Sequence, residues 1–211
     1  MTAIVDYGAG NIFSLTSAII RCGGECRLTS SPEEILAASS VIIPGVGAAG
    51  PAMKALKDRG LDKVIPLVRV PLLGICIGMQ LLCSSSEEAD NSCESSFLKG
   101  SNETKCLGIF PNRVKKFSSE GSGLKIPHMG WNTLSGIKSP LFEGIEDGGY
   151  FYFVHSYFPD SGEFTIASAF YGVEFSAALG RGNFFGTQFH PEKSGEWGER
   201  LLKNFINMKS E

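Results

Sequence analysis

Short apolar runs alternate with helix-like segments along the first half of the chain. The apolar runs lie at 3–7, 41–43 and 72–73, a further strand can form over 25–28, and helix-like segments begin near residues 12, 32 and 51. Strands that are apolar at successive positions are typical of a parallel sheet buried on both faces, and their alternation with helices indicates βαβ units. The pattern therefore predicts an α/β fold with a mostly parallel central sheet flanked by helices.

The second half of the chain has a different pattern. Aromatic and β-branched runs, separated by Gly, Pro and Ser, lie at 107–110, 112–117, 150–158, 164–171, 176–179 and 184–189. Such runs predict antiparallel strands, so the sheet is expected to be mixed. A helix with one apolar face is predicted over 199–208. Between the two halves, residues 84–104 are rich in Ser, Glu and Asn and predict an exposed excursion.

Composition and charge fit one packed domain spanning residues 1–211. The chain is 43% hydrophobic and 19% charged, and its formal net charge is -3, so electrostatics does not favour nucleic acid or an acidic membrane surface as a partner. The sequence opens on a strand-like stretch without a signal peptide, and no apolar run is long enough to span a bilayer. Its six cysteines contain no C-x-x-C pair. We expect a cytoplasmic protein with free thiols.

A cysteine lies at a predicted turn between a strand and a helix. The apolar run at 72–75 leads into Cys76, and Gly78 precedes helix-forming residues. A residue at the tip of such an elbow is pushed into the open, and flanking glycines keep Cβ atoms out of the crowded turn. The N-terminus of the following helix adds positive potential and free N–H groups that can hold an oxyanion. Cys76 is therefore a candidate nucleophile, and a buried core cysteine is the other interpretation.

A nucleophilic cysteine needs a base and a group that orients the base. His190 lies at the end of an apolar run, and Glu192 follows two residues later. The carboxylate can accept one imidazole N–H and leave the other ring nitrogen for Cys76. Of the other histidines, His155 is interpreted as a hydrogen-bonded structural residue and His128 as a surface or interface residue. A zinc site would compete for these side chains, but no close-spaced ligand pair exists.

The stretch 45–50 spells G-x-G-x-x-G between a strand and a helix, which resembles a dinucleotide site. Such a site needs an acidic residue about 20 residues further on, at the end of the next strand. The next strand here ends at Cys76 without Asp or Glu. We therefore reject nucleotide binding. Because both turns lie at the carboxyl edge of the predicted sheet, the glycine loop can instead donate N–H groups to an oxyanion beside the cysteine.

Taken together, the segments 74–80 and 190–192 resemble the class I glutamine amidotransferases. The segments 6–11, 44–47, 127–132 and 152–157 are similar to the branch whose glutaminase serves histidine biosynthesis. Met79, where related glutaminases carry His, and Val46, where they carry Pro, favour that branch. The resemblance implies a flavodoxin-like three-layer fold, no cofactor or metal, and hydrolysis of glutamine. The same chemistry serving another acceptor, such as a surface-sugar pathway, and a non-catalytic binding module are the alternatives.

The resemblance also assigns roles to residues at matching positions. Cys76 would be the nucleophile, His190 the general base and then acid, and Glu192 its orienting partner. Ammonia would pass to a (βα)8-barrel cyclase docked over the site. The remaining residues fall into three sets. The oxyanion hole would consist of Val46, Gly47 and Ile77, and glutamine would be bound by Gly45, Gln80, Glu88, Ser156 and Tyr157. The cyclase would contact Met129, Trp131, Asn132, Tyr152 and Lys193. A core position is the alternative for Trp131.

Overall fold

The secondary structure comes from a computed structural model that describes residues 1–8, 10–88, 103–119 and 123–208. The helices in these ranges are α1 (Ile12–Arg21), α2 (Pro32–Ala37), α3 (Ala49–Asp58), α4 (Leu61–Val64), α5 (Ile77–Leu82) and α6 (Gly195–Asn207). The strands are β1 (Thr2–Val5), β2 (Cys26–Thr29), β3 (Ser40–Ile43), β4 (Leu72–Ile75), β5 (Ser85–Ser86), β6 (Thr104–Lys105), β7 (Arg113–Lys116), β8 (His128–Thr133), β9 (Tyr150–His155), β10 (Tyr157–Pro159), β11 (Thr165–Tyr171), β12 (Val173–Arg181) and β13 (Phe184–Thr187).

Within the described ranges, the largest sheet has the strand order β11-β12-β13-β4-β3-β1-β2. The strands from β13 to β2 run parallel, and β12 and β11 are added antiparallel at one edge. Every residue of β1, β3 and β4 is buried, as expected for parallel strands covered on both faces. The predicted mixed α/β fold is confirmed.

Local sequence explains where several helices begin. The Ser31 hydroxyl accepts a hydrogen bond from the Glu34 N–H at 3.2 Å, and Pro32 occupies the first helical position of α2. The carbonyl oxygen of the Asn11 side chain accepts from the Ser14 N–H at 3.4 Å at the start of α1. Helices α3 and α6 begin at Ala49 and Gly195, earlier than the predicted starts at 51 and 199.

Three strand predictions were wrong in detail. Residues 107–110 form no strand, and the run predicted over 150–158 is divided at Ser156 into β9 and β10. Strand β8 was not predicted, because its sequence has a glycine at its centre and no β-branched run before Thr133. It pairs antiparallel with β9 in a separate two-stranded sheet. This added sheet borders the candidate site described below.

The predicted exposed excursion at 84–104 is wrong at both ends. Strand β5 and Thr104 are buried in a second sheet with the order β10-β7-β5-β6. Burial is tolerated because the polar groups are bonded: the Thr104 hydroxyl donates to the Glu88 carbonyl at 2.8 Å, and the Ser85 hydroxyl donates to Glu103 at 2.8 Å. The middle of the excursion, residues 89–102, lies outside the described residues.

One cluster of buried apolar side chains draws on both halves of the chain, from Ile4 in β1 to Phe205 in α6. This continuity supports the single domain predicted for 1–211, which stays a prediction. The five cysteines in the described ranges are free thiols, as expected. None of the described helices is both long and apolar enough to cross a membrane.

Candidate active site

Cys76 lies at the elbow between β4 and α5 in a strained backbone conformation. Its φ of 52° and ψ of -108° fall outside the regions that residues with a Cβ atom ordinarily adopt. The Cys76 N–H donates to the Thr187 carbonyl at 2.7 Å, which ties the elbow to the neighbouring strand β13. The predicted strand, turn and helix are confirmed. The residue is only 5% exposed, however, because it forms the wall of a cavity rather than an open tip.

The glycines around the elbow are required by close backbone contacts. A Cβ atom on Gly78 would overlap the carbonyl oxygen of Ile43 in β3, and one on Gly74 would lie 2.5 Å from the Gly78 oxygen. A Cβ on Gly45 would overlap the N–H of Gly78. The glycine loop that follows β3 is therefore packed directly on the N-terminus of α5, beside Cys76, as the sequence predicted.

His190 and Glu192 form the predicted pair. The distance between His190 Nδ1 and Glu192 Oε1 is 2.8 Å, and both side chains are almost fully buried. Burial by itself disfavours the charged imidazole. Hydrogen bonds to Cys76 and Glu192, together with their negative charges, outweigh this effect and raise the pKa of His190 to about 10. The arrangement favours a protonated His190 held by its hydrogen bond to Glu192.

A cavity of about 360 Å³ lies beside Cys76 and His190. Its size falls in the range of small-molecule sites. The cavity brings together all the residues predicted for the oxyanion hole and for glutamine binding, and its lining consists of Gly45, Val46, Gly47, Cys76, Ile77, Gln80, Glu88, Pro127, Val154, His155, Ser156, Tyr157 and His190. Glu192 is bonded to His190 instead of lining the cavity.

The predicted oxyanion donors flank the cysteine. Ile77 is the first residue of α5, so its N–H has no acceptor within the helix. Val46 is 44% exposed, and Gly47 has a φ of +98° in open space, where a Cβ atom would meet nothing within 4 Å. Glycine adopts this conformation without strain. The oxyanion role of these residues remains a prediction.

Two of the predicted glutamine-binding side chains already have protein partners. The carboxylate of Glu88 accepts the N–H of Ala49, the first residue of α3, at 2.7 Å, and burial raises the pKa of Glu88. Gln80 donates both amide hydrogens, to the Tyr157 carbonyl at 3.1 Å and to Gln188 Oε1 at 3.0 Å. Gln80 Oε1 is a buried acceptor without a protein partner within the described ranges, and Gln80 and Glu88 both line the cavity.

Sequence reasoning missed two side chains beside the site. Gln188 is fully buried, and its Nε2 donates to the sulfur of Cys76 at 3.5 Å. His128 was expected at the surface but is buried, with its Nδ1 3.0 Å from Nε2 of His155. The interpretation of His155 as a hydrogen-bonded structural residue is confirmed by its contacts with His128 and the Tyr157 carbonyl. An isolated glutamine inside an apolar strand was the available signal for Gln188.

Four of the five predicted cyclase contacts share one exposed face next to the cavity. Met129 and Trp131 are 63% and 56% exposed, which rules out the core alternative for Trp131. The Trp131 and Tyr152 rings meet edge to face at 5.9 Å, and Lys193 Nζ lies 5.7 Å from the centre of the Tyr152 ring. The side chain of Asn132 points to the other face of β8 and donates to the Phe170 carbonyl at 2.9 Å. Their role in binding a partner stays a prediction.

Comparison with known proteins agrees with this geometry. The family model for class-I glutamine amidotransferases matches residues 3–208. Imidazole glycerol phosphate synthase subunit HisH of Bacteroides fragilis (strain YCH46) is 48% identical and covers 98% of both chains. The HisH subunit of Dehalococcoides mccartyi (strain ATCC BAA-2266 / KCTC 15142 / 195) is 49% identical, over 99% of this chain and 97% of its own.

Solved structures with low sequence identity share the fold. PurLQS from Thermotoga maritima matches with a TM-score of 0.69 at 18% identity, covering 98% of this chain and 97% of that one. The glutaminase domain of Trypanosoma brucei CTPS, solved with bound acivicin, matches with a TM-score of 0.63 at 15% identity, covering 97% and 90%. The chain therefore belongs to the class-I glutamine amidotransferase family and, within it, to the HisH subunits of imidazole glycerol phosphate synthase.

Proposed function

We propose that this chain is the glutaminase subunit of an imidazole glycerol phosphate synthase in histidine biosynthesis. It hydrolyses glutamine to glutamate and ammonia, and a (βα)8-barrel cyclase subunit uses the ammonia to make imidazole glycerol phosphate and AICAR. The observation that carries the proposal is the strained Cys76 elbow, which opens on a cavity together with the buried His190–Glu192 pair. The HisH relatives supply the pathway.

The proposed mechanism depends on proton transfer between Cys76 and His190. Because Glu192 accepts from Nδ1 of His190, the other ring nitrogen takes the thiol proton of Cys76. The thiolate forms a C–S bond with the amide carbon of glutamine, and the carbonyl electrons move to oxygen. When the oxyanion collapses, the C–N bond breaks and His190 gives its proton to the departing nitrogen, which leaves as ammonia. Water then attacks the thioester, and its proton returns through His190 to the thiol as glutamate leaves.

The backbone around the cavity supports the negative charge that develops in this reaction. The N–H groups of Ile77 and of the Val46–Gly47 turn are the proposed oxyanion donors, each contributing roughly 3 kcal/mol to the transition state. The Glu88 carboxylate is the proposed acceptor for the α-ammonium group of glutamine. Ser156 and Tyr157, at the break between β9 and β10, complete the glutamine-binding wall.

The cyclase is proposed to dock on the exposed face of β8 and β9. Met129 pairs with Val154, and Val154 lines the cavity, so this face continues directly into the site. Aromatic and methionine side chains are enriched in the cores of protein interfaces. A barrel seated here would cover the cavity and receive ammonia before it is protonated in water.

The test is glutamate release from glutamine by the purified chain together with its cyclase. Cys76→Ala should abolish activity. Glu192→Gln, which keeps a hydrogen-bonding group but loses the charge, should lower kcat by about a hundredfold or more. Cys22→Ala is the matched control, because this thiol bonds to the Glu199 carbonyl far from the site and its loss should leave activity unchanged. Activity that survives Cys76→Ala would refute the proposal.

The same preparation distinguishes the alternatives. Glutamate release without formation of imidazole glycerol phosphate would indicate a different acceptor synthase. If the complex releases no glutamate and a glutamine-analogue electrophile fails to label Cys76, the chain is a binding module.

A further inference from the structure

The chain contains only two glutamines, Gln80 and Gln188, and they are bonded to each other beside Cys76. Both side chains are almost completely buried. They come from different elements, since Gln80 lies in α5 and Gln188 follows β13. Gln188 also contacts the cysteine, since its Nε2 atom donates to the sulfur of Cys76 at 3.5 Å.

One main-chain carbonyl determines which way these amides point. The oxygen of Tyr157 can only accept, so the atom that faces it at 3.1 Å must be the NH2 group of Gln80. The second hydrogen of that group then faces Gln188 at 3.0 Å, which must present its Oε1 atom. The NH2 group of Gln188 is consequently directed at the sulfur of Cys76. Reversing Gln80 would place two acceptors against each other at the Tyr157 oxygen, and reversing Gln188 would place its NH2 group against the NH2 group of Gln80.

The two buried histidines are oriented by the same carbonyl. His155 Nδ1 lies 2.8 Å from the Tyr157 oxygen and therefore carries the proton, which leaves Nε2 as an acceptor. His128 Nδ1 donates to that atom at 3.0 Å, and His128 Nε2 faces the side-chain NH2 group of Asn132 at 3.4 Å. The chain of hydrogen bonds thus runs from β8 to the cysteine.

Burial keeps these histidines neutral, so the assignment holds near neutral pH. Desolvation lowers the pKa of His128 to about 4 and the pKa of His155 to about 3. The aromatic rings of Phe117, Phe153, Phe175 and Tyr171 pack around this pair. The charge of His190 also lowers the pKa of His155.

We propose that Gln188 is a positioning residue that holds the Cys76 thiolate through its amide NH2 group, and that Gln80 fixes the direction of that amide from the Tyr157 carbonyl, to which the pair of His128 and His155 also donates. This inference rests on the proposed function, in which Cys76 is the nucleophile. A neutral amide can donate a hydrogen bond to the thiolate, and it has no titratable proton that it could transfer to the sulfur in place of His190. A carboxylate of the same shape would repel the thiolate.

The first experiment measures the alkylation rate of Cys76 by iodoacetamide and the kinetics of glutamine hydrolysis in the cyclase complex. Gln188→Glu and Gln188→Met keep the length of the side chain but remove the donor. Both rates should fall about tenfold to a hundredfold, the value of one hydrogen bond to a charged group. The loss should appear in kcat, with KM close to that of the wild type, because Gln188 does not line the cavity proposed to bind glutamine.

Asn183→Asp is the matched control, because the Asn183 amide donates to the Val68 and Val70 carbonyls at the opposite end of β4 and should leave both rates unchanged. Wild-type rates in a folded Gln188→Met variant would overturn the proposal, and so would an equal loss in Asn183→Asp.

The second experiment uses the wild-type chain and needs no variant to fold. Nitrogen NMR of ¹⁵N-histidine-labelled protein should show the Nδ1–H tautomer at both His128 and His155. An Nε2–H tautomer at either residue would overturn the proposed direction of the chain. Both this result and the alkylation rate are independent of turnover. If the complex releases no glutamate, the proposed function fails while these two measurements still decide the positioning role.

Discussion

The backbone strain at Cys76 can be measured by comparing alanine and glycine at that position. The residue has a φ of 52° and a ψ of -108°, a conformation in which alanine is strained and glycine is not. Cys76→Ala removes the thiol but keeps the strain, whereas Cys76→Gly removes both. The difference in stability between these two variants therefore contains the strain energy, together with the ordinary cost of replacing alanine by glycine.

The same two substitutions at Cys83 measure the ordinary cost of replacing alanine by glycine. Cys83 is also buried, but its φ of -70° and ψ of 178° are unstrained. Replacing alanine by glycine there should cost about 0.7 kcal/mol of backbone entropy and about 0.8 kcal/mol for the buried methyl group. At Cys76 the same losses are opposed by about 2 kcal/mol of released strain. Glycine should thus cost about 1.5 kcal/mol at Cys83 and stabilise the protein by about 0.5 kcal/mol at Cys76.

Urea unfolding of the four variants measures the contrast directly. We expect the alanine-to-glycine difference at the two positions to differ by about 2 kcal/mol, or roughly 4 to 8 °C in Tm for a chain of this size. The absence of activity in both Cys76 variants does not affect this measurement. If glycine were as unfavourable at Cys76 as at Cys83, the elbow would not be strained and the argument would fail.

Three further predictions concern other parts of the site. Trp131→Ala should weaken cyclase binding by about 2 kcal/mol in calorimetry, whereas Trp197→Ala, the other tryptophan, should not. In NMR titrations, His190 should lose its proton at a lower pH in Cys76→Ala than in the wild type, because the sulfur helps to raise the pKa of His190; an unchanged titration would show that the two are not coupled. His155 has a pKa lowered to about 3, so the unfolded state takes up its proton first as the pH falls below 6.5. The free energy of unfolding should therefore decrease as the pH falls below 6.5, and His155 should contribute up to about 1.4 kcal/mol per pH unit to this decrease. Urea unfolding at pH 7 and pH 5 should show a smaller decrease for His155→Gln than for the wild type.

The parallel part of the fold was predictable because its sequence signals are local. A fully buried parallel strand must be apolar at successive positions, as β3 and β4 are, and a serine followed by proline indicates where α2 begins. Strand β8 has no such signal, because its sequence has a glycine at its centre and it is held by pairing with β9, which is distant in sequence. The burial of β5 and Thr104 depends on partners distant in sequence, which composition cannot indicate.

The candidate catalytic residues could be found from the sequence for a related reason. Cys76, His190 and Glu192 are reactive side chains at the ends of apolar strands, where parallel strands place ligands. Gln188 precedes His190 by two residues, yet its side chain is buried and its partners come from α5 and from the break between β9 and β10. Its role depends on atomic positions and not on residue type alone.

The position of the nucleophile thus depends on three parts of the chain that are far apart in sequence. The β4 elbow holds the backbone of Cys76, the segment after β13 supplies both His190 and Gln188, and the break at Ser156 turns the Tyr157 carbonyl toward Gln80 and His155. Because that carbonyl accepts from both side chains, displacing it would release the amide chain and the histidine chain together. The two-stranded sheet of β8 and β9 is joined to this carbonyl through two buried histidines, His155, the last residue of β9, and His128, the first residue of β8. The carbonyl that holds the Gln80 amide is therefore also the point at which this sheet is bonded to the site.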